Sequence, residues 1–306
     1  MKKRYKRVFR ILWKRSKNLH QNPDDGFVLI AVIWIAGLLA VSATAFVATT
    51  TAQIFLSRNV SEQMRLDGAA SGMAALTAYN LSQPDSTISK ISKWQTCAWN
   101  TDNSIMWRVH DQGGLVDINT ANPDLLLALL TGLTKNRQLA YKIQAEIQDF
   151  KDPDQIAASG SSEPTLYEGK IYGPKNAPFE TPFELDQIPE ISDELFLTLQ
   201  NFVTVQSQQQ GIDLTVSPDG LQDLLKAGVQ SGVDVQQFNV PSPARVYAID
   251  AIAYRTGGGT YHRRAVVNLL RQPEKPFALL EWRRSNASST DKAATNPSMP
   301  CFNARS

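Results

Sequence analysis

The longest run of apolar positions in the chain, Phe27 to Ala48, holds 22 residues and no charge. As a helix it is long enough to cross a bilayer core of about 30 Å. From Arg58 to Leu81 the pattern predicts that the helix continues. Val60, Met64, Met73 and Leu76 lie there among the small residues of "DGAASGMAAL". Gly68 and Gly72 weaken a helix locally and point to close packing against a neighbour. "LSQPDST" at 81–87 predicts the stop.

Beyond residue 92 the period shortens. In "IMWRVHDQGGLVDIN", β-branched and aromatic residues flank Asp111–Gly114 and predict a hairpin with its turn at "DQGG". "NTANPDLLLALLTGLTKNRQLAYKIQAEIQDF" then reads as helix, short turn, helix. Asn119 or Thr120 is the expected cap, Pro123 lies in the first turn, and Gly132 is the expected stop. A loop-rich section, 152–181, precedes a second helical pair that starts near "TPFELDQIPEISDELFLTLQNF". "VDINTANPDLLLALLTGL" (116–133) recurs in weaker form as "IDLTVSPDGLQDLLKAGV" (212–229). The closing "RVYAIDAIAYRTGGGTYHRRAVVNLLR" and "FALLEWRR" predict three strands, with Gly257–Gly259 turning the first into the second. Tyr254, Tyr261 and Trp282 alternate in these strands as sheet-face packing. Helices in the middle with strands on either side predict an α+β body carrying an all-helical insertion.

Charge changes the picture at one end. The formal net charge of 306 residues is +2, yet residues 1–26 hold nine Lys/Arg against two Asp, which leaves 22 basic and 27 acidic residues for the rest. The body is therefore mildly acidic and gives no support to a nucleic-acid-binding role. The two cysteines, Cys97 and Cys301, both follow the apolar run. Export would allow them to form a single disulfide; two separate thiols are the other reading. His20, His110 and His262 fall in leader, turn and strand, and no G-x-S-x-G elbow, HExxH or P-loop occurs. Asp193 and Glu194 stand at a helix start, where the macrodipole explains them. No enzymatic activity is expected.

Basic residues precede the apolar run, so the positive-inside rule puts residues 1–26 in the cytoplasm and the bulk of the chain outside. Two processing routes are open. A signal peptidase acting after "ATA" (Ala43–Ala45) gives a soluble product that starts at Phe46. Cleavage between Gly26 and Phe27 instead leaves the apolar helix on the mature protein.

The stretch "G-FVLIAVIWIAGLL" is similar to the prepilin signature of type IV pilins and type II secretion pseudopilins. It departs at Ala31, where most of those proteins carry glutamate at the fifth mature position. A carboxylate in hydrocarbon needs a partner, and a subunit with nothing above it has none. "DQGGLVDINTANPDLLLALL", "FKDPD", "GPKNAPFETPFELDQIPEISDELFLTLQNFVTV" and "ARVYAIDAIAYR" resemble, in order, blocks of the general secretion pathway protein K (GspK) family, the large minor pseudopilins of type II secretion. The likeness covers roughly 26–285. Its leader is longer than the family's, and Glu190 stands where a hairpin glycine is expected.

The resemblance implies a pilin-like α+β fold: a long N-terminal helix on a small antiparallel sheet, with a large inserted α domain of helix-hairpin-helix-like repeats. It divides the chain into leader (1–26), transmembrane segment (27–48), remaining helix and first strands (49–118), α domain (119–235), closing strands (236–285) and tail (286–306). It implies cleavage after Gly26 and N-methylation of Phe27 by prepilin peptidase. It also implies an inner-membrane protein with a periplasmic head that caps a pseudopilus. The implied partners are the I- and J-type minor pseudopilins, the major pseudopilin and the inner-membrane assembly platform. A structural calcium ion is implied at Asp152 and Asp154, with Glu163 as a further ligand, because irregular acidic loops suit its loose oxygen coordination. The alternative function is DNA binding in a competence-type pseudopilus, with Lys135, Arg137 and Lys142 facing phosphates. Glu146, Asp149, Asp152 and Asp154 close behind them speak against it.

Overall fold

The computed structural model describes residues 25–84, 86, 88–90, 92–99, 102–153, 173–229, 234–255, 258–285 and 301. Residues 1–24, Asp154, Glu163, Gly257 and the tail apart from Cys301 lie outside the described residues. The chain forms two compact units, residues 1–62 and 63–306.

Helix α1 spans Asp25–Ser82 and ends where "LSQPDST" predicts. In the first unit its apolar side chains are exposed, from Phe27 to Val47 and on through Leu56. In the second unit one stripe is buried: Leu66, Ala69, Ala70, Met73, Ala74, Thr77, Ala78 and Leu81. These recur every three to four residues, one face of a helix. Alanine dominates the stripe because the helix axis then lies close to the sheet, while Leu66 and Met73 each contribute about 1.5–3 kcal/mol by leaving water. Of the four apolar residues expected to pack, only Met73 is buried; Val60, Met64 and Leu76 are exposed on other faces. A Cβ on Gly68 or Gly72 would meet nothing within 4 Å, so within this chain neither glycine marks a close contact.

Five antiparallel strands form the sheet under α1, in the order β1 (Gln95–Ala98), β2 (Asn103–Asp111), β5 (Val246–Arg255), β6 (Thr260–Leu269) and β7 (Phe277–Ser285). Ile105, Val109, Ile249, Ala251, Ala253, Ala265 and Val267 face α1. Central strand β5 is buried on both faces from Tyr247 to Ala253, so the sheet is covered on its second side too.

The hairpin predicted at "DQGG" does not form. The Asp111 carboxylate accepts from the Gly113 amide and caps a single turn of 3-10 helix, Gln112–Gly114. That turn leads the chain out of the sheet into β3 (Val116–Asp117), which pairs in parallel with β4 (Val203–Thr204). His110, expected in the turn, is therefore a β2 residue.

Between β3 and β5 lies a second hydrophobic core built on helices. Helix α2 (Pro123–Thr134) is buried over Leu125–Leu130, and α3 (Arg137–Lys151) contributes Ile143, Ile147 and Phe150. The cap of α2 is Asn122, whose side chain accepts from the Asp124 amide; Asn119 instead bonds Phe179. Gly132 does not end the helix, since Lys135 takes the left-handed position three residues later. The predicted second helical pair becomes a 3-10 segment, Pro182–Gln187, closed by a Thr181–Glu184 capping box, and a short α4 (Asp193–Leu199). Glu190 needs no glycine geometry, because its φ is not positive.

The repeat of 116–133 in 212–229 has a spatial counterpart. Helix α5 (Leu221–Gly228) crosses α2 so that a Cβ on Gly132 would lie 2.1 Å from the Leu224 carbonyl oxygen. A Cβ on Gly228 would lie 1.8 Å from that of Ala128. Gly132 and Gly228 hold equivalent places in the two copies, as do Ala128 and Leu224, so the contact is reciprocal. Asp117 and Asp213, likewise equivalent, each accept from backbone amides two residues on, those of Asn119 and Thr215. Gly132 is a packing residue and not a stop, and Gly228 both packs and ends α5.

Candidate functional site

The chemistry of the apolar segment starts from backbone satisfaction. Inside lipid every polar group must be bonded within the protein. The hydroxyls of Ser42, Thr44, Thr49, Thr50 and Thr51 each donate to the carbonyl three or four residues earlier, at 2.8–2.9 Å. None of these side chains interrupts α1, which is long and apolar enough to cross a membrane. Gly26 lies within α1, and Phe27 beside it is 74% exposed, at the start of the uncharged run. Ala31 places no charge there.

Cys97 on β1 and Cys301 are joined in a disulfide with a Cα–Cα separation of 4.7 Å. The Cys301 amide also donates to the Ala98 carbonyl at 2.9 Å, so Cys301 meets β1 through its backbone as well. Of the implied ion ligands, Asp152 caps the C-terminus of α3. Its neighbour Lys151 donates to the carbonyls of Ile118 and Asn119 at 3.0 and 2.9 Å. Among the described residues no three His, Cys, Asp or Glu side chains converge as a metal site.

The phosphate-facing candidates divide. Lys135 and Arg137 are exposed, but Lys142 is bonded to Glu190 at 2.5 Å. Beneath that pair sits Glu146, 2% exposed, its carboxylate offset only in part by the Glu190 backbone amide and otherwise without a hydrogen-bond donor among the described residues. Burial, reinforced by the Glu190 and Asp149 carboxylates and opposed by Lys142, raises its pKa to about 7.

The most heavily charged cluster lies on the sheet face away from α1. Asp250 is 1% exposed. Arg108 and Arg264 stand directly opposite it on the two neighbouring strands, with nitrogen–oxygen distances of 3.3 and 3.2 Å. His262 Nε2 lies 3.2 Å away and His110 Nε2 3.9 Å. Burial pushes the Asp250 pKa up, but Arg264, the His262 bond, Arg108 and His110 together hold it well below the usual carboxylate range. Burial and the Arg108 charge depress His110 to about 4, against the pull of Asp250, so it is neutral at physiological pH. Nothing in the sequence reading singled out Asp250. The available signal was one acid inside the apolar run "VYAIDAIAYR", with basic residues of matching strand parity at His262 and Arg264. Tyr261 and Trp282 lie on the α1 face, where both rings stack against Arg263, which also bonds Asp67 of α1 at 2.5 Å.

These features define an α+β protein with one apolar N-terminal helix and a helical insertion between sheet strands. That helix is long and apolar enough to cross a membrane once. Residues 106–208 match the family model described as Type II secretion system (T2SS), protein K. The fold is similar to a chain of the solved GspK-GspI-GspJ complex from enterotoxigenic Escherichia coli: TM-score 0.57, 14% identity, 78% of this chain and 100% of that one. Among curated proteins none matches. Over residues 106–208 the chain is thus similar to protein K of type II secretion, and its fold is similar to that of the solved complex's chain.

Proposed function

We propose that the protein is a minor pseudopilin at the tip of the type II secretion pseudopilus, where it initiates assembly and helps protein export across the outer membrane. The observation that carries this reading is the division of α1. Its first part exposes apolar residues from Phe27 onward, while its later part buries an alanine stripe against the sheet. One helix thus serves as membrane anchor, as fibre element and as the spine of a head. In lipid the anchor is at rest; in a fibre the same side chains lie against sister helices. Prepilin peptidase cleaves after Gly26 and methylates Phe27. The alanine at position 31 suits a subunit with nothing above it.

The I- and J-type minor pseudopilins are the direct partners in this reading, by analogy with the complex in which the similar chain was solved. The major pseudopilin and the assembly platform meet the anchor. A calcium ion held by Asp152, Asp154 and Glu163 would tie the segment after α3, and the oxygen donors suit it. Its test is thermal stability with added calcium and with chelator, in the wild type and in Asp152→Asn. The test of the function is co-expression of the full chain with I- and J-type minor pseudopilins, followed by affinity capture from membrane extracts. Capture of both partners is expected, and deletion of the gene should abolish secretion. Efficient secretion without the protein would refute the reading.

A further inference from the structure

Between the second face of the sheet and the helical part lies a cleft of about 580 Å³. Its sheet wall carries Arg108, Arg264 and Arg283, and its opposite wall presents Phe183, Phe196 and Leu197. We propose that this cleft binds an extended segment of another polypeptide in which an acidic side chain stands beside apolar ones. The proposal is independent of the tip assignment.

Charge balance is the first ground. Asp250 is shared by two guanidinium groups, and Arg283 is bonded to Glu281 on its own strand. Three arginines thus face two carboxylates, and His110 is neutral, so arginine charge exceeds carboxylate charge by one at the floor. Arg284, the next residue of β7, also borders the cleft while its guanidinium lies over the Tyr261 ring, so it can only add to the positive excess.

Unused donors are the second ground. A guanidinium offers five N–H groups. Arg264 hydrogen-bonds Asp250 through Nη1 only, and Arg108 and Arg283 each hydrogen-bond through Nε only among the described residues, while their guanidinium planes lie over the Trp94 and Phe183 rings at 4.3 and 4.4 Å and leave the Nη edges for a ligand. Their remaining N–H groups are part-exposed toward the cleft, in the planar arrangement that receives a carboxylate through two bonds. His262 lines the same floor, 7% exposed, with its Nδ1 bonded to nothing among the described residues. A buried polar nitrogen left in this way calls for a partner from outside.

The opposite wall selects the kind of ligand. Phe183 and Phe196 stand 6.2 Å apart between ring centroids, and Leu197 is 60% exposed, so the wall offers an apolar surface to side chains flanking the acid. Gln200 and Asn201 border the same cleft, with their side-chain NH2 groups donating to the Leu197 and Thr198 carbonyls. A bare phosphate would use the arginines and leave this wall wet; a peptide with alternating acidic and aliphatic residues uses both.

The test is isothermal titration calorimetry of the full chain in detergent micelles. The probe is a blocked pentapeptide alternating leucine and glutamate, compared with its leucine–glutamine counterpart. The glutamate peptide should bind about tenfold tighter or better. Arg264→Gln should remove that preference, whereas Arg271→Gln, outside the cleft, should keep it. Because Arg264 also neutralises buried Asp250, Arg283→Gln provides a second variant that leaves Asp250 fully paired; it too should weaken binding. Equal affinity for the two peptides, no binding up to about 1 mM, or full displacement by equimolar inorganic phosphate or duplex DNA would overturn the proposal.

Discussion

Replacing Glu146 with glutamine keeps the shape of the side chain and removes its charge. The carboxyl is 2% exposed beneath the Lys142–Glu190 pair, and its pKa of about 7 lies far above the value it takes in an unfolded chain. The sign follows from proton counting. Between the unfolded and folded pKa values the native state holds the extra proton, so this group favours folding at low pH, and the advantage is lost as pH rises through about 7. Integrating that linkage, the Glu146 contribution falls by about 2 kcal/mol between about pH 5 and pH 8. In Glu146→Gln the fall is absent. A buried amide has its own cost, but that cost does not depend on pH and cancels when the two pH values are compared.

The assay is urea unfolding of the full chain in detergent, followed by far-UV circular dichroism, because the helical part from 119 to 235 contains no tryptophan. The wild type should lose about 2 kcal/mol more than the variant on going from pH 5 to pH 8. A stability difference between variant and wild type that is the same at both pH values would refute a buried, proton-holding Glu146.

Other outcomes follow from the packing. Gly228→Ala drives a Cβ to 1.8 Å from the Ala128 oxygen and should cost about 2–3 kcal/mol, seen as a lower melting temperature. Gly68→Ala meets nothing within 4 Å and should instead raise it, by about 0.5–1 kcal/mol of helix propensity. Asp250→Asn leaves Arg108 and Arg264 facing each other across a buried site, and urea unfolding should show a loss of about 3–5 kcal/mol. Cys301→Ser opens a cross-link that spans 204 residues. Chain entropy puts that loss at roughly 5 kcal/mol or below, and reducing agent should lower the wild type to the variant's stability.

Local patterns were the legible part of the sequence. The uncharged run from Phe27, the stop after Ser82, the helix pair around Lys135 and the three closing strands can all be read from periodicity. The repeat too was visible, and its glycines turned out to be the points where α2 and α5 touch. Pairing over long separations was not legible. Nothing near "DQGG" says that β3 leaves the sheet for Val203, because the pairing depends on residues almost ninety positions away. The Asn122 cap, one residue before Pro123, won over Asn119, whose side chain is bonded to the Phe179 backbone. Asp250 remained hidden because Arg108, His110, His262 and Arg264 acquire meaning only once three strands are placed side by side. The small residues of "DGAASGMAAL" read as room for close packing, and Ala69, Ala70 and Ala74, with Ala78 beyond them, form the close seam between α1 and the sheet.

The central claim is that the apolar helix stays on the mature protein after the basic leader is removed. The intact mass of the protein extracted from the cell's membranes tests it most directly. A chain that begins at N-methylated Phe27 is the predicted result. A normal cellular form that begins at Phe46, or one that keeps residues 1–26, would contradict it.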